Sequence, residues 1–380
     1  MRRLLFLANS PRTTRYFRAL AAALPEYDCR VRRVGLAFSG AAPSRERVET
    51  IIDYGMRRKR ARPHYGPRRI AVENWLYATA ARAHYRHAAG LIRGWAPDAV
   101  CVWGGNAVDV NAVVAAAEDA GLPCWRFENG QLPATTQMDL QGVNARSSVP
   151  RDPAFYAARG GDWQPRRAAD VVPRAPRKGK ASMAAVSLPP RYVFVPFQVM
   201  LDSQVLLHSP WITSMEQFFE VLCAAQDAAG RDAPVLVIKE HPSCPRRYPG
   251  LHARAAARGG RVLFANGNAT GGLIEGAEGV ITLNSSVGVE SLLLGKPVLA
   301  LGDAVFGIDG VTARAQDVAG VAAWLSAVGR GAPPAAPLRG AFLAHLAEDY
   351  LVPERHQAPG TAHFAAVRAR LAGTPWRADR

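Results

Sequence analysis

Two trains of short apolar runs, each run closed by a turn and mostly followed by a helix-patterned stretch, constrain this chain more than any other feature. In the first train, Leu4–Ala8, Ala99–Trp103 and Pro123–Phe127 read as buried strands. A helix is expected from about Thr14 to Leu24, and Gly104-Gly105-Asn106 leads from the second strand into an Ala- and Val-rich helix through Ala120. In the second train, Tyr192–Pro196, Val235–Lys239, Arg261–Phe264, Gly279–Leu283 and Pro297–Leu301 repeat the pattern. Strand, glycine-bearing turn, helix, strand is the signature of a parallel sheet covered on both faces. Between the trains periodicity vanishes, and segments such as Arg174–Lys180 have the composition of an exposed linker. The expected organisation is α/β. A Rossmann-like domain occupies 1–160, a basic Pro/Arg-rich linker 161–190 and a second Rossmann-like domain 191–340. Helices over 341–380 pack back across the junction. A length of 380 residues also predicts two cores.

Lys and Arg outnumber Asp and Glu by 47 to 31, a formal net charge of +16, which favours anionic partners. Arg57, Arg58, Lys59, Arg60, Arg62, Arg68 and Arg69 form the densest basic segment. It reads as a solvated loop or as a contact for an anionic membrane. No RNA- or DNA-binding motif accompanies it, so nucleic acid is not an expected partner. The five cysteines lack any CxxC, and Cys101 and Cys124 read as small core residues, which fits a reducing compartment. Met1-Arg2-Arg3 and Leu4–Ala8 imitate a signal peptide, but Asn9-Ser10-Pro11-Arg12 breaks the apolar run well short of the ~7–15 residues required. No run nears the ~18 residues of a spanning helix. The expected location is cytoplasmic, at most peripheral at the inner face of the cytoplasmic membrane.

Three polar regions stand out. Glu128-Asn129-Gly130-Gln131 opens a stretch that continues through Asp139, Asn144, Arg146, Ser147 and Ser148. It follows the third strand, where doubly wound folds bind ligands, and reads either as a hydrogen-bonded structural loop or as a site carrying two carboxylates. Lys239-Glu240-His241-Pro242 ends a strand; Lys and His suit a phosphate, although a His before Pro also serves as a turn residue. Asn284-Ser285-Ser286 leads into a helix bearing Glu290. The serines read as helix caps or as a phosphate cradle, with Glu290 placed for a ribose.

The order Glu128-Asn129-Gly130, His241-Pro242, Ser285-Ser286 resembles CMP-sugar glycosyltransferases of the GT-B class, such as bacterial sialyltransferases, with Asn129 replacing their second acid. A closer resemblance is to the capsule and lipopolysaccharide β-Kdo transferases. It is carried by Glu128–Pro133, Thr136–Asp139, Gly142-Val143-Asn144, Ser147–Pro150, Val195–Val199, Asp202-Ser203-Gln204 and His208-Ser209-Pro210. The resemblance implies a GT-B fold with two parallel sheets facing a central cleft. It also implies a retaining transfer of Kdo from CMP-Kdo to a glycan or glycolipid acceptor, with Asp139 as nucleophile and Glu128 as acid/base or orienting group. Donor contacts are expected from Lys239, His241, Pro242, Asn284, Ser285, Ser286 and Glu290. Sugar and acceptor contacts are expected from Gly105, Asn106, Asn129, Gln131, Asn144, Arg146, Ser147, Gln198 and Gln204. No Asp-x-Asp motif calls for a metal, and no cofactor beyond the donor is expected. The alternatives are an inverting sialyltransferase-like enzyme and a non-catalytic basic protein that binds polysaccharide or nucleic acid.

Overall fold

Val, Leu, Ile and Phe fill the central strands, which are buried along nearly their whole length, as strands covered on two faces must be. The computed structural model describes residues 1–62, 64–161 and 184–374; most of the expected linker, 162–183, lies outside them. Contacts divide the chain into two units, Met1–Ser148 together with the chain from Ala347 onward, and Val149–Leu346. The boundaries therefore fall at 148/149 and 346/347, rather than near 160 and 340.

The first unit contains β1 (Arg3–Ala8), α1 (Pro11–Ala22), β2 (Asp28–Arg33), α2 (Arg45–Arg60), α3 (Pro67–Trp95), β3 (Ala99–Trp103), α4 (Val108–Asp119), β4 (Cys124–Asn129) and β5 (Thr135–Asp139). The second contains α5 (Pro153–Arg159), β6 (Tyr192–Pro196), α6 (Ser203–His208), α7 (Met215–Ala229), β7 (Val235–Lys239), α8 (Pro249–Ala256), β8 (Val262–Phe264), α9 (Thr270–Gly276), β9 (Gly279–Thr282), α10 (Val287–Leu293), β10 (Val298–Ala300), β11 (Ala313–Arg314), α11 (Val318–Gly329) and α12 (Arg339–Ala344). A π-helical stretch, His345–Tyr350, leads to β12 (Val352–Pro353) and α13 (Thr361–Leu371) in the first unit.

The second sheet runs β11-β10-β9-β6-β7-β8 and is parallel throughout. The first runs β12-β5-β4-β3-β1-β2. Its four central and outer strands β4, β3, β1 and β2 are parallel, but β5 and β12 are antiparallel to their neighbours. The all-parallel expectation fails at this edge for a steric reason. Five residues separate β4 from β5, and the Gly130 N–H closes onto the Thr135 carbonyl at 3.0 Å, so the chain reverses as a hairpin with no room for a crossover. A Cβ on Gly130 would stand 1.9 Å from Thr135 Oγ1. The helices expected over 341–380 are separate elements, because Pro353 and Pro359-Gly360 interrupt the helical pattern between α12 and α13.

Alternating residues of the first sheet feed two cores. Leu5, Leu7, Val100, Val102 and Cys124 join the helices α2, α3 and α4, whereas Leu4, Phe6, Ala8, Ala99, Cys101 and Phe127 join α1 and α13. Burial pushes the Cys124 thiol up to about 12, in keeping with a core residue. The basic segment is not a loop over most of its length: Arg57–Arg60 end α2, and Arg68 and Arg69 begin α3. No helix among the described residues is long and apolar enough to cross a membrane.

Candidate functional site

Strand order reverses between β6 and β9 in the second unit and between β1 and β3 in the first. Ligands of doubly wound sheets lie outside the carboxyl ends of the strands at such reversals. In the second unit the reversal is bridged by side chains. Gln198 Nε2 donates to Asn284 Oδ1 at 2.9 Å, and the Asn284 N–H returns to Gln198 Oε1 at 3.2 Å. Asn284 Nδ2 donates to the carbonyls of Gln204 and His208, both at 2.8 Å. Gln198 and Asn284 are both 7% exposed, so this amide network ties β6, β9 and α6 together and has its hydrogen-bonding capacity largely spent.

Lys239 is also committed. Its Nζ donates to the carbonyls of Asn266 and Asn268 at 2.7 and 2.6 Å, and burial lowers its pKa. His241 and Pro242 follow it, partly exposed. The Ser243 N–H donates to His241 Nδ1 at 3.1 Å, which assigns the ring proton to Nε2 and makes that nitrogen a donor suited to a phosphate oxygen. Glu240 turns inward, accepts from His252 Nε2 at 2.8 Å and braces the following loop. Ser285 and Ser286 flank the start of α10. Ser285 Oγ accepts weakly from the Val287 N–H at 3.3 Å, while Ser286, in helical backbone conformation, makes no side-chain cap. Glu290 lies one turn into α10 and is 8% exposed, which keeps most of its surface from a ribose at this edge. The expected donor set thus divides: His241, Pro242, Ser285 and Ser286 stand at the edge, Glu290 is largely buried, and Lys239 and Asn284 hold the edge together with Gln198 and Gln204, which were expected as sugar or acceptor contacts.

In the first unit, most of the polar string closes on itself. Asp139 is 2% exposed and ends β5. Its Oδ1 accepts from the N–H groups of Gln141 and Gly142 at 2.7 and 3.1 Å. Its Oδ2 accepts from the Ser148 N–H and Oγ at 2.8 and 2.7 Å and from the Tyr350 hydroxyl at 2.7 Å. Five donors against about four lone-pair sites leave no open position on the carboxylate. Gln137 continues the chain: its Oε1 accepts from Gln131 Nε2 at 3.1 Å and from the Asn144 N–H at 3.2 Å, and its Nε2 donates to the Tyr350 hydroxyl at 2.5 Å. Asn144 sits at φ 55°, a left-handed conformation Asn tolerates, and its carbonyl accepts from Ser147 Oγ at 2.7 Å. A Cβ on Gly142 would lie 2.6 Å from the Arg146 carbonyl oxygen, so this turn needs glycine. Arg370 closes the network from α13, donating to the carbonyls of Met138, Asp349 and Tyr350 with its charge beside Asp139. Burial, then the Asp139 charge, raises the Tyr350 pKa. Gln131, Asn144, Ser147 and Asp139 are therefore brought together, but as a buried scaffold. Arg146 is exposed beside it.

Outside that scaffold stand Glu128, Asn129, Gly105 and Asn106. Glu128 ends β4 partly exposed, and its Oε1 accepts from the Asn129 N–H at 2.9 Å and Nδ2 at 3.1 Å. Its Oε2 lies 3.9 Å from where a Gly104 Cβ would be; Gly104, at φ 80°, begins the turn that carries Gly105 and Asn106 at the β1–β3 reversal. The carboxylate thus borders the ligand edge, and it is the left-handed backbone at Gly104, not lack of space, that calls for glycine there.

Sequence reasoning missed His356, Tyr350 and Arg370, which arrive from the far end of the chain. His356 lies 4.1 Å, centroid to centroid, from the Trp103 ring and 5.7 Å edge-on from Tyr16. It is 5% exposed, and its Nδ1 has no hydrogen-bond partner among the described residues. Burial, then the nearby Arg12 charge, pushes its pKa down from 6.5 to about 4. Folded protein therefore holds this ring neutral while unfolded chain protonates it below about pH 6.5. Its stabilising contribution is complete above that pH and is lost as pH falls towards 4. His356→Asn is expected to flatten the loss of stability between about pH 7.5 and 4.5 by about 2.5 kcal/mol. Urea midpoints at the two pH values check this, and parallel wild-type and variant profiles refute it. Nothing in the sequence around it, Glu354-Arg355-His356-Gln357, hints at the Trp103 and Tyr16 rings that enclose it.

Among the described residues no group of three or more His, Cys, Asp or Glu side chains could hold a metal ion. A family described as "Capsule polysaccharide biosynthesis protein" matches residues 98–189 and 179–350. Protein FixF of Sinorhizobium fredii is 41% identical over 235 residues, covering 62% of this chain and 56% of FixF. Capsule polysaccharide export protein KpsS of Escherichia coli is 32% identical over 127 residues, 32% of each chain. The chain thus spans about half or less of the length of these relatives. Among solved structures, the Thermosulfurimonas dismutans KpsC β-Kdo 2,7 transferase aligns over 98% of this chain and 99% of its own, with TM-score 0.49 and 14% identity.

Proposed function

Because the chain belongs to the capsule polysaccharide biosynthesis family, we propose that it is a glycosyltransferase that moves Kdo from CMP-Kdo onto a bacterial capsule or lipopolysaccharide glycan, at the inner face of the cytoplasmic membrane. The observation that carries the chemistry is the contrast between two carboxylates: Glu128 is partly exposed at the sheet edge, whereas Asp139 is enclosed by five donors. A nucleophile must reach to about 3–3.5 Å from the reacting carbon. The exposure of Glu128 at the sheet edge favours it over the enclosed Asp139, which exchanges the nucleophile that the resemblance implied for Glu128 and leaves Asp139 a structural role.

Kdo is a 2-keto acid sugar, so loss of CMP leaves an oxocarbenium-like carbon bearing a carboxylate. Glu128 attacks this carbon from the face opposite CMP, and the bond to phosphate breaks with its electron pair leaving on CMP. The acceptor hydroxyl then displaces Glu128, giving its proton to solvent, and two inversions yield retention. His241 Nε2–H and the Ser285 and Ser286 hydroxyls supply donors to the CMP phosphate. Asp139 holds the turn over 140–148 beside the reacting edge.

CMP release from CMP-Kdo made in situ, with the product anomer read by NMR, tests the reading. Retention with CMP-Kdo supports it, and consumption of a UDP-sugar but not of CMP-Kdo overturns it. His241→Ala is expected to weaken CMP binding by about 1.5–3 kcal/mol, roughly tenfold to a hundredfold. Calorimetry showing unchanged affinity would remove His241 from the donor site.

A further inference from the structure

Helix α3 is 29 residues long, yet its buried positions begin only at Ala81. Ahead of them Val72, Trp75 and Leu76 are 57, 65 and 48% exposed. Their i, i+3, i+4 spacing sets them on one face, which also carries Arg68 and Arg69 one turn earlier. The loop after β2 is laid along the same helix: the Ala37 N–H donates to the Ala83 carbonyl at 3.0 Å, and His84 Nδ1 bonds the Gly35 carbonyl at 2.7 Å. That loop presents Leu36 and Phe38, 55 and 77% exposed. Of the nine large apolar side chains exposed among the described residues, five fall on these two segments. Single exposed apolar residues mean little, but concentration on one helix face and the loop docked beside it marks a contact surface.

The charge beside this surface is only partly spent on the fold. Asp53 pairs with Arg57 at 3.0 Å and Glu73 with Lys59 at 2.7 Å. Arg58, Arg60, Arg62, Arg68 and Arg69 make no ion pair within 4.0 Å among the described residues, although the charge of Arg69 also reaches Glu73 and helps to hold its carboxyl low. Arg62 and Arg69 lie over the Tyr65 ring, 5.5 and 3.9 Å from its centroid, and both donate to its hydroxyl. Arg68 and Arg69 occupy the first turn of α3, where the helix dipole disfavours cations. Their placement therefore costs the helix a little and leaves Arg68 in particular open to an external anion.

We propose that this face docks on an anionic phospholipid bilayer, with Trp75, Leu76, Val72 and Phe38 entering the headgroup boundary and the five arginines binding lipid phosphates. A soluble anionic polymer would satisfy the arginines but leave the indole and leucine in water. A bilayer surface offers phosphate and hydrocarbon side by side, matching an apolar stripe edged by guanidinium groups. The inference is independent of which sugar is transferred, and its test contains no donor.

The full chain is floated with vesicles of phosphatidylcholine containing about one third phosphatidylglycerol, and with phosphatidylcholine alone. Binding is expected to the anionic vesicles only. The double substitution Trp75→Ser, Leu76→Ser should lower partitioning about tenfold or more, and Arg68→Gln and Arg69→Gln about fivefold each. All four positions are solvent-exposed, so the fold should survive, as circular dichroism can verify. Wild-type chain that stays with the soluble fraction overturns the proposal, as does anionic binding that ignores loss of Trp75 and Leu76. A dimer that the double substitution converts to monomer would equally overturn it, by assigning the stripe to a second copy.

Discussion

Glu128→Gln is expected to reduce CMP release from CMP-Kdo by about 10³-fold or more, equivalent to roughly 4 kcal/mol of barrier, while the protein stays folded. The amide keeps an oxygen to accept from the Asn129 N–H, so the end of β4 retains its local bond. What it loses is the charge that must form a bond to the anomeric carbon. Wild-type protein quenched during turnover should gain the mass of one Kdo on the peptide that holds Glu128. An adduct on the peptide of Asp139 would show that the turn over 140–148 opens when substrate binds, and would return the nucleophile's role to that residue. Full activity in Glu128→Gln would end the double-displacement reading altogether.

Asp139→Asn should act mainly through stability. Replacing one oxygen by an NH2 group points a donor at the Ser148 and Tyr350 donors or at the Gln141 and Gly142 N–H groups, whichever way the amide turns. It also leaves the buried Arg370 charge without its anionic neighbour. A loss of about 3–5 kcal/mol is expected, the scale for breaking a buried charged network. Urea unfolding monitored by circular dichroism measures it. A variant as stable as wild type but inactive would contradict the scaffold role.

The strands were legible where both faces are covered. Ala99–Trp103, Tyr192–Pro196 and Val235–Lys239 form as the apolar runs indicate, because a doubly buried strand has no polar positions to blur its ends. β2, with sequence DCRVRR, and β5, with TTQMD, lie at or near sheet edges and carry polar side chains, so neither shows an apolar run. The helix α3 was hidden for a similar reason, since its exposed Val72, Trp75 and Leu76 blur the usual amphipathic pattern. At the site, residue type alone could not separate Glu128 from Asp139. Their difference lies in what surrounds them, and two of the groups that enclose Asp139, Tyr350 and Arg370, are more than 200 positions away. Lys239 shows the same limit: a lysine at a strand's end suits a phosphate, but two backbone carbonyls within reach claimed it.

The pairing of β5 with β12 joins Thr136 to Val352, and between them the chain builds the whole of the second unit. A ribosome making this protein therefore completes the second unit's sequence before the first can close its sheet. Until then β5 presents an open edge, and Asp139 lacks both Tyr350 and Arg370. Such long-range closure slows folding and lengthens the time that the nascent first unit exposes strand edge and buried charge. The order of synthesis makes the first unit, begun earliest, the later of the two to mature, with the greater need of chaperone protection.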